Sequence, residues 1–153
     1  MMKRLFTLIL LLNTTVVVYA VDHLPPATIA ITEIQSLSFN TMLTGTAVSV
    51  VTAPTDANAA IFDATGEANQ LVTVSIVENS VKMDNGGTGA ANKISIASWT
   101  FGGSLSDVGG SGVANFNSLG VISNMRVGAT AVVESKDNAG LYQTSVTMRL
   151  VYQ

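Results

Sequence analysis

The chain has 153 residues, 48% of them apolar and 11% charged, with a formal net charge of −3 and no cysteine. The absence of cysteine excludes a disulfide framework, so stability must come from packing and strand pairing. The modest acidity leaves no basic patch for nucleic acid or an anionic membrane, and we expect no nucleic-acid partner.

The N-terminus has the layout of a secretory signal peptide. Lys3 and Arg4 precede an apolar run over 5–12, and 18–20 supplies a small-residue cleavage site. We therefore predict a signal peptide at 1–20, export through the periplasm, and an extracellular or cell-surface location. The apolar run is too short to cross a bilayer, so we expect no membrane span after cleavage. The remaining 21–153 fits a single domain.

The mature chain is dominated by segments in which apolar and polar residues alternate, which is typical of strands with one buried face. Glycine-rich and Asx-rich turns separate them. Within the last segment, the side chains of Val146, Met148, Leu150 and Tyr152 are expected to face one way. The pattern predicts an all-β antiparallel sandwich or barrel. The predicted strands are 28–34, 36–39, 45–53, 60–64, 70–77, 81–83, 94–101, 125–133 and 144–152.

The two aromatic residues in the segment 94–101 allow two interpretations of their role. Strict alternation places Trp99 and Phe101 on one face with Ser95 and Ala97, and Ile94 and Ile96 on the other. Core packing is the favoured interpretation. The alternative is an exposed pair that stacks on a sugar, although the chain has few other aromatic residues to complete such a platform.

No pattern in the chain indicates catalysis. The single histidine, His23, lies beside two prolines near the predicted mature N-terminus, which argues against acid–base or metal chemistry. Acidic neighbours at 63–67 and 134–137 flank turns, and 84–89 lacks the repeated acidic positions of a calcium loop. We therefore expect no enzyme, no catalytic residue, no cofactor and no metal.

Four blocks, in order, carry a family resemblance. They are Ile29-Ala30-Ile31-Thr32 leading to Leu37-Ser38-Phe39, the run 62–74, Met125-Arg126-Val127-Gly128-Ala129-Thr130, and Ala139-Gly140-Leu141-Tyr142 running into the terminal strand. The chain resembles the DUF4402 family of exported bacterial proteins over most of its mature length. Its outline is also similar to pilin subunits of the chaperone–usher type, including the archaic, spore-coat-U-like pilins.

The pilin resemblance implies an immunoglobulin-like sandwich that is finished by a donated N-terminal strand. It also implies self-assembly into a filament, a periplasmic chaperone and an outer-membrane usher, with Tyr152 as the penultimate tyrosine of the strand offered to the chaperone. The candidate donor segment is 21–32, although Pro25 and Pro26 donate no ladder hydrogen bonds. Whether this segment serves its own sandwich or a neighbour's stays open.

Two function hypotheses follow. In the first, the chain is a structural subunit of a pilus or surface fibre assembled by strand donation. In the second, it is a monomeric secreted adhesion or carbohydrate-binding module. The first predicts subunit contacts at six residues, which are Ile29, Ile31, Val146, Met148, Leu150 and Tyr152.

Overall fold

The computed structural model describes residues 26–39, 45–78 and 80–153. Within these ranges the chain forms ten strands and one short 3₁₀ turn at Ala90–Asn92. The predicted signal peptide, His23 and the first part of the candidate donor segment, 21–25, lie outside the described residues. The strands are β1 (Ala30–Gln35), β2 (Val48–Thr52), β3 (Ala60–Thr65), β4 (Leu71–Ile76), β5 (Val81–Asp84), β6 (Lys93–Gly103), β7 (Ser106–Asp107), β8 (Gly112–Asn115), β9 (Val121–Val133) and β10 (Met148–Tyr152).

The strands form two antiparallel sheets. The first has the order β1-β3-β9-β6-β5, with β2 also paired to β9, and the second has the order β10-β4-β8-β7. The predicted all-β, sandwich-like fold is confirmed. The membrane search over the described part of the chain finds no helix that is long and apolar enough to be a span.

The two sheets enclose the main core between their inner faces. Strand β4 contributes Val72 and Val74, which are fully buried, and β9 contributes Met125 and Val127 from the opposite sheet. Strand alternation explains why these side chains are buried, because every second side chain of a strand faces the same side. A second cluster lies at the β5 end of the first sheet and contains Met83, Ile94, Ala131 and Val133.

Strand β9 organises the first sheet because it is long enough to serve several partners. One of its edges pairs with β6, while the other is shared by β3, along 121–127, and by β2, along 129–133. Gly128 lies where the two partners meet. A Cβ atom there would come within 2.2 Å of the Thr52 carbonyl oxygen, so only glycine fits this junction.

A β-bulge overturns the predicted facing of β6. Its pairing with β9 shifts register between Ile96 and Ser98, which inserts an extra residue and resets the alternation. Ile96 lies opposite Ala131 and Trp99 opposite Ala129, two buried residues of one face. The prediction that the isoleucines and the aromatics of this strand face opposite sides was therefore wrong, and all of them point inward.

Other predicted boundaries also needed correction. Residues 36–39 form no strand, the last strand begins at Met148 rather than at 144, and strands β7 and β8 were missed. Strand β9 begins at Val121 rather than at 125, and the added residues contain a second bulge with Asn124 at φ 59°. The Asp63 carboxylate accepts the Asn124 N–H at 2.8 Å and so satisfies the backbone at this bulge.

We predict that Gly128→Ala destabilises the domain by about 3 kcal/mol, because the added methyl group meets a backbone oxygen that cannot move without breaking the β2–β9 ladder. Denaturant unfolding measures the change. Ser123→Ala, at an exposed position of the same strand, is the control and should stay within about 0.5 kcal/mol. Equal stability of the two variants would contradict the proposed junction.

Candidate functional site

An open groove lies between the two sheets, with a volume of about 1100 Å³. One of its walls is the inner face of β1 together with 36–39. The other is Met148 of β10 and the segment that precedes it, and strands β3, β4, β5, β6 and β9 supply the floor. The groove therefore lies where the sandwich is least covered.

Both strands that border the groove lie at the edge of a sheet. Within the described ranges, β1 pairs only with β3 and β10 pairs only with β4. Each strand therefore keeps one edge with backbone N–H and C=O groups that no strand of the described chain pairs. Such edges are templates for pairing with another strand.

The floor of the groove is apolar. Its side chains come from both the main core and the second cluster, so the groove runs along the sandwich from one cluster to the other. Trp99 is partly buried there, whereas its neighbour Phe101 is 5% exposed and belongs to the core. The apolar floor residues include Phe62, Ile76, Met83, Ile94, Ile96, Trp99 and Val127.

Two carboxylates line this apolar groove, and among its described lining residues there is no lysine, arginine or histidine. Glu33 faces the groove because it lies opposite Phe62 in the β1–β3 ladder and shares its face. Its carboxylate accepts the hydroxyl of Ser36. The side chain is otherwise exposed, so its charge is solvated only while the groove is open.

Asp137 supplies the second carboxylate. It is 5% exposed, and its Oδ2 accepts the Glu134 N–H at 2.8 Å. Its Oδ1 is shielded from solvent, and no group of the described chain donates to it. Buried unpaired oxygens are uncommon in folded proteins, so this end of the groove contains a hydrogen-bond acceptor that the described chain leaves without a donor.

A segment that we call the strap, residues 137–146, closes this end of the groove. The Tyr142 hydroxyl lies 2.7 Å from the Asn138 carbonyl oxygen and 3.1 Å from that of Ala91. Gln143 makes a bridge to Asp84 at the end of β5. Burial, reinforced by the charge of Asp137, raises the pKa of Tyr142 above its ordinary value, so the hydroxyl stays protonated and holds the strap.

Tyr152, which does not line the groove, holds the residues just before β1. Its hydroxyl accepts the Glu67 N–H at 2.7 Å and donates to the Ala27 carbonyl oxygen at 2.7 Å. The Glu67 carboxylate in turn accepts the Ala27 N–H at 3.1 Å. We call this group of three residues the clasp. It ties the residues before β1 to the last strand and to the β3–β4 turn.

The structure divides the six predicted subunit-contact residues into two sets. Ile31, Val146 and Met148 line the groove, with Ile31 40% exposed. The other three, Ile29, Leu150 and Tyr152, are half-buried against the chain's own core, and Met148 packs against that core as well as lining the groove. Met148, Leu150 and Tyr152 thus share the inward side of β10, and four of the six proposed contacts pack within the domain itself.

Sequence reasoning missed Glu33, the role of Asp137 and the strap. Glu33 continues the inward series Ile29, Ile31 and Glu33, so a charge at the third position was the signal that could have revealed it. Within the described part of the chain, no group of three Asp, Glu or His residues could hold a metal ion.

Comparison with known proteins finds no match to any family model, curated protein or solved structure. The resemblance to the DUF4402 family and to pilin subunits therefore stays a prediction.

We predict that Tyr152→Phe destabilises the domain by about 1 to 2 kcal/mol, because it removes the acceptor for the Glu67 N–H and the donor to Ala27. Hydrogen exchange should show faster exchange at the Glu67 amide. Leu119→Ala, at an exposed loop position, is the control. Unchanged stability and exchange in the tyrosine variant would contradict the clasp.

A pH dependence follows from Glu78, whose carboxylate oxygens lie 3.0 and 2.9 Å from the Thr147 N–H just before β10. These contacts with Thr147 hold the pKa of Glu78 below its ordinary 4.5. A lowered native pKa stabilises the fold above the unfolded value, and this contribution is lost as pH falls through the native value.

Wild-type protein should therefore have a higher Tm than Glu78→Gln at about pH 6, and this difference should shrink as the pH is lowered below the ordinary 4.5 of a glutamate. Thermal unfolding followed by circular dichroism measures it. A difference that is constant across this range would contradict the assigned contact.

Proposed function

We propose that the chain is a structural subunit of an extracellular pilus or surface fibre, and that a strand donated by a neighbouring polypeptide fills its groove. The observation that supports this proposal is the position of the groove between two unpaired strand edges, β1 and β10. Export by a signal peptide, a periplasmic chaperone and an outer-membrane usher belong to the same proposal.

Insertion of a strand into the groove is stabilised by two kinds of contact. Its backbone can form ladder hydrogen bonds with a free edge, and its alternate side chains can cover the apolar floor. A strand the length of β1, six residues, places about three side chains inward. Each contributes about 1.5 to 3 kcal/mol if it is apolar and fully buried. Such an insertion would turn a partly open sandwich into a closed one.

The candidate donor segment, 21–32, is already partly engaged in its own domain. Ala30, Ile31 and Thr32 pair with β3, and the clasp holds Ala27. The chain therefore serves mainly as the strand acceptor in this proposal. Donation of the segment would require β1 to leave its own sheet.

The second candidate function is a monomeric secreted adhesion or carbohydrate-binding module. The position of Trp99 in the groove favours it, because an indole in a concave site can stack on a sugar ring. Phe101, buried in the core, cannot join such a platform. Glycan binding that is lost in Trp99→Ala while the fold is retained would favour this function over the fibre.

We predict that a strand appended to Gln153, turning back along β10 with Val and Ile at its inward positions, raises the Tm by about 10 °C. The mature chain starting at Val21 is the reference. The control carries the same extension with Ser at the inward positions and should gain little. Equal Tm values for both extensions would show that the groove accepts no strand and would overturn the proposal.

The same pair of variants tests assembly in the producing cell. Immunoelectron microscopy should detect the unextended chain in surface fibres, and the self-filled variant should be excluded from them. Incorporation of both chains at equal levels, or no fibre at all, would count against the fibre function.

A further inference from the structure

The groove combines an apolar floor with two carboxylates, Glu33 and Asp137, and its described lining contains no lysine, arginine or histidine. Glu33 is an inward-facing charge on an edge strand, a device that discourages unselective strand pairing. A neutral strand that covered it would remove water from the carboxylate without replacing it. Desolvating an unpaired charge costs several kcal/mol, so covering Glu33 opposes the gain from the apolar contacts.

A cation on the incoming strand removes this cost. Residues directly opposite each other on the same face of an antiparallel ladder lie close enough for an ion pair. A lysine or arginine opposite Glu33 would therefore compensate its charge while the neighbouring inward residues cover the floor. An acidic residue at that place would add repulsion from Glu33, with Asp137 adding a second negative charge at the strap end.

The candidate donor segment supplies no lysine or arginine for this position. Residues 5–81 contain no lysine or arginine, so the candidate donor segment has only His23 as a cationic side chain, next to Asp22. The basic residues beyond 81 belong to the folded domain. Lys93 and Lys136 already pair with Asp84 and Glu134. Arg126 donates to backbone carbonyls at 54 and 56.

We propose that the groove takes a strand from a different polypeptide, with alternating apolar side chains and a lysine or arginine opposite Glu33. Glu33 is then the residue that determines which strand is accepted. This inference rests on the proposed function, because it assumes that the groove accepts a strand. It adds that the neighbouring subunit differs in sequence from this chain.

The test uses three synthetic strand peptides that differ at one inward position, where they carry Lys, Gln or Glu. Trp99 is the chain's only tryptophan and lines the groove, so its fluorescence reports binding. The wild-type chain should bind the lysine peptide about tenfold more tightly than the glutamate peptide at low salt. In Glu33→Gln this preference should fall to about twofold or less.

The matched control is Asp56→Asn, which removes one negative charge at an exposed position outside the groove lining, keeps an acceptor for the Ala53 N–H and should keep the tenfold preference. Circular dichroism checks that both variants fold. A fourth peptide spans 21–35 of this chain.

Equal binding of the lysine and glutamate peptides to wild-type protein would overturn the inference and leave the proposed function standing. Tighter binding of the 21–35 peptide than of the lysine peptide would also overturn it, in favour of a second copy. Failure of all four peptides to bind would overturn the proposed function and the inference together.

Discussion

The backbone of a sheet edge must find hydrogen-bond partners in water or in another strand, and in this protein two such edges border one groove. Strands β1 and β10 each pair on a single side within the described chain. The inner faces next to them are apolar. Water can therefore hydrogen-bond to the backbone of the edges, but the apolar side chains of the floor stay exposed to it. A strand satisfies both at once, because its backbone pairs with an edge while its side chains cover the floor.

The groove is flanked by chain segments that two half-buried tyrosines hold through their hydroxyls. The clasp connects the residues before β1 to β10 across 125 positions of sequence, and Tyr142 connects the strap to the 3₁₀ turn. In a chain without cysteine, these contacts constrain the fold in the way that disulfides do in many small secreted domains. They hold the flanking segments and leave the groove accessible.

Alternation predicted most strands and the inward face of β10, because side-chain direction in a regular strand follows from position alone. It failed at the bulge in β6, where one extra residue reverses the facing of everything beyond it. In β9 it missed only the first four residues, which end at the bulge with Asn124 at positive φ. The groove was not predictable residue by residue, because it results from two edges that are distant in sequence and lie on opposite sheets.

Glu33 shows how one residue can serve both stability in solution and choice of partner. An exposed apolar groove beside unpaired strand edges favours association with any apolar strand. A carboxylate on the inner face of β1 raises the cost of every insertion that leaves it unpaired. The same cost disappears for a strand that brings a cation to that position. Protection from aggregation and selection of the correct neighbour thus have the same cause, which is the cost of desolvating the Glu33 carboxylate. The sequence of the partner strand, rather than the shape of the groove, then determines which strand is accepted.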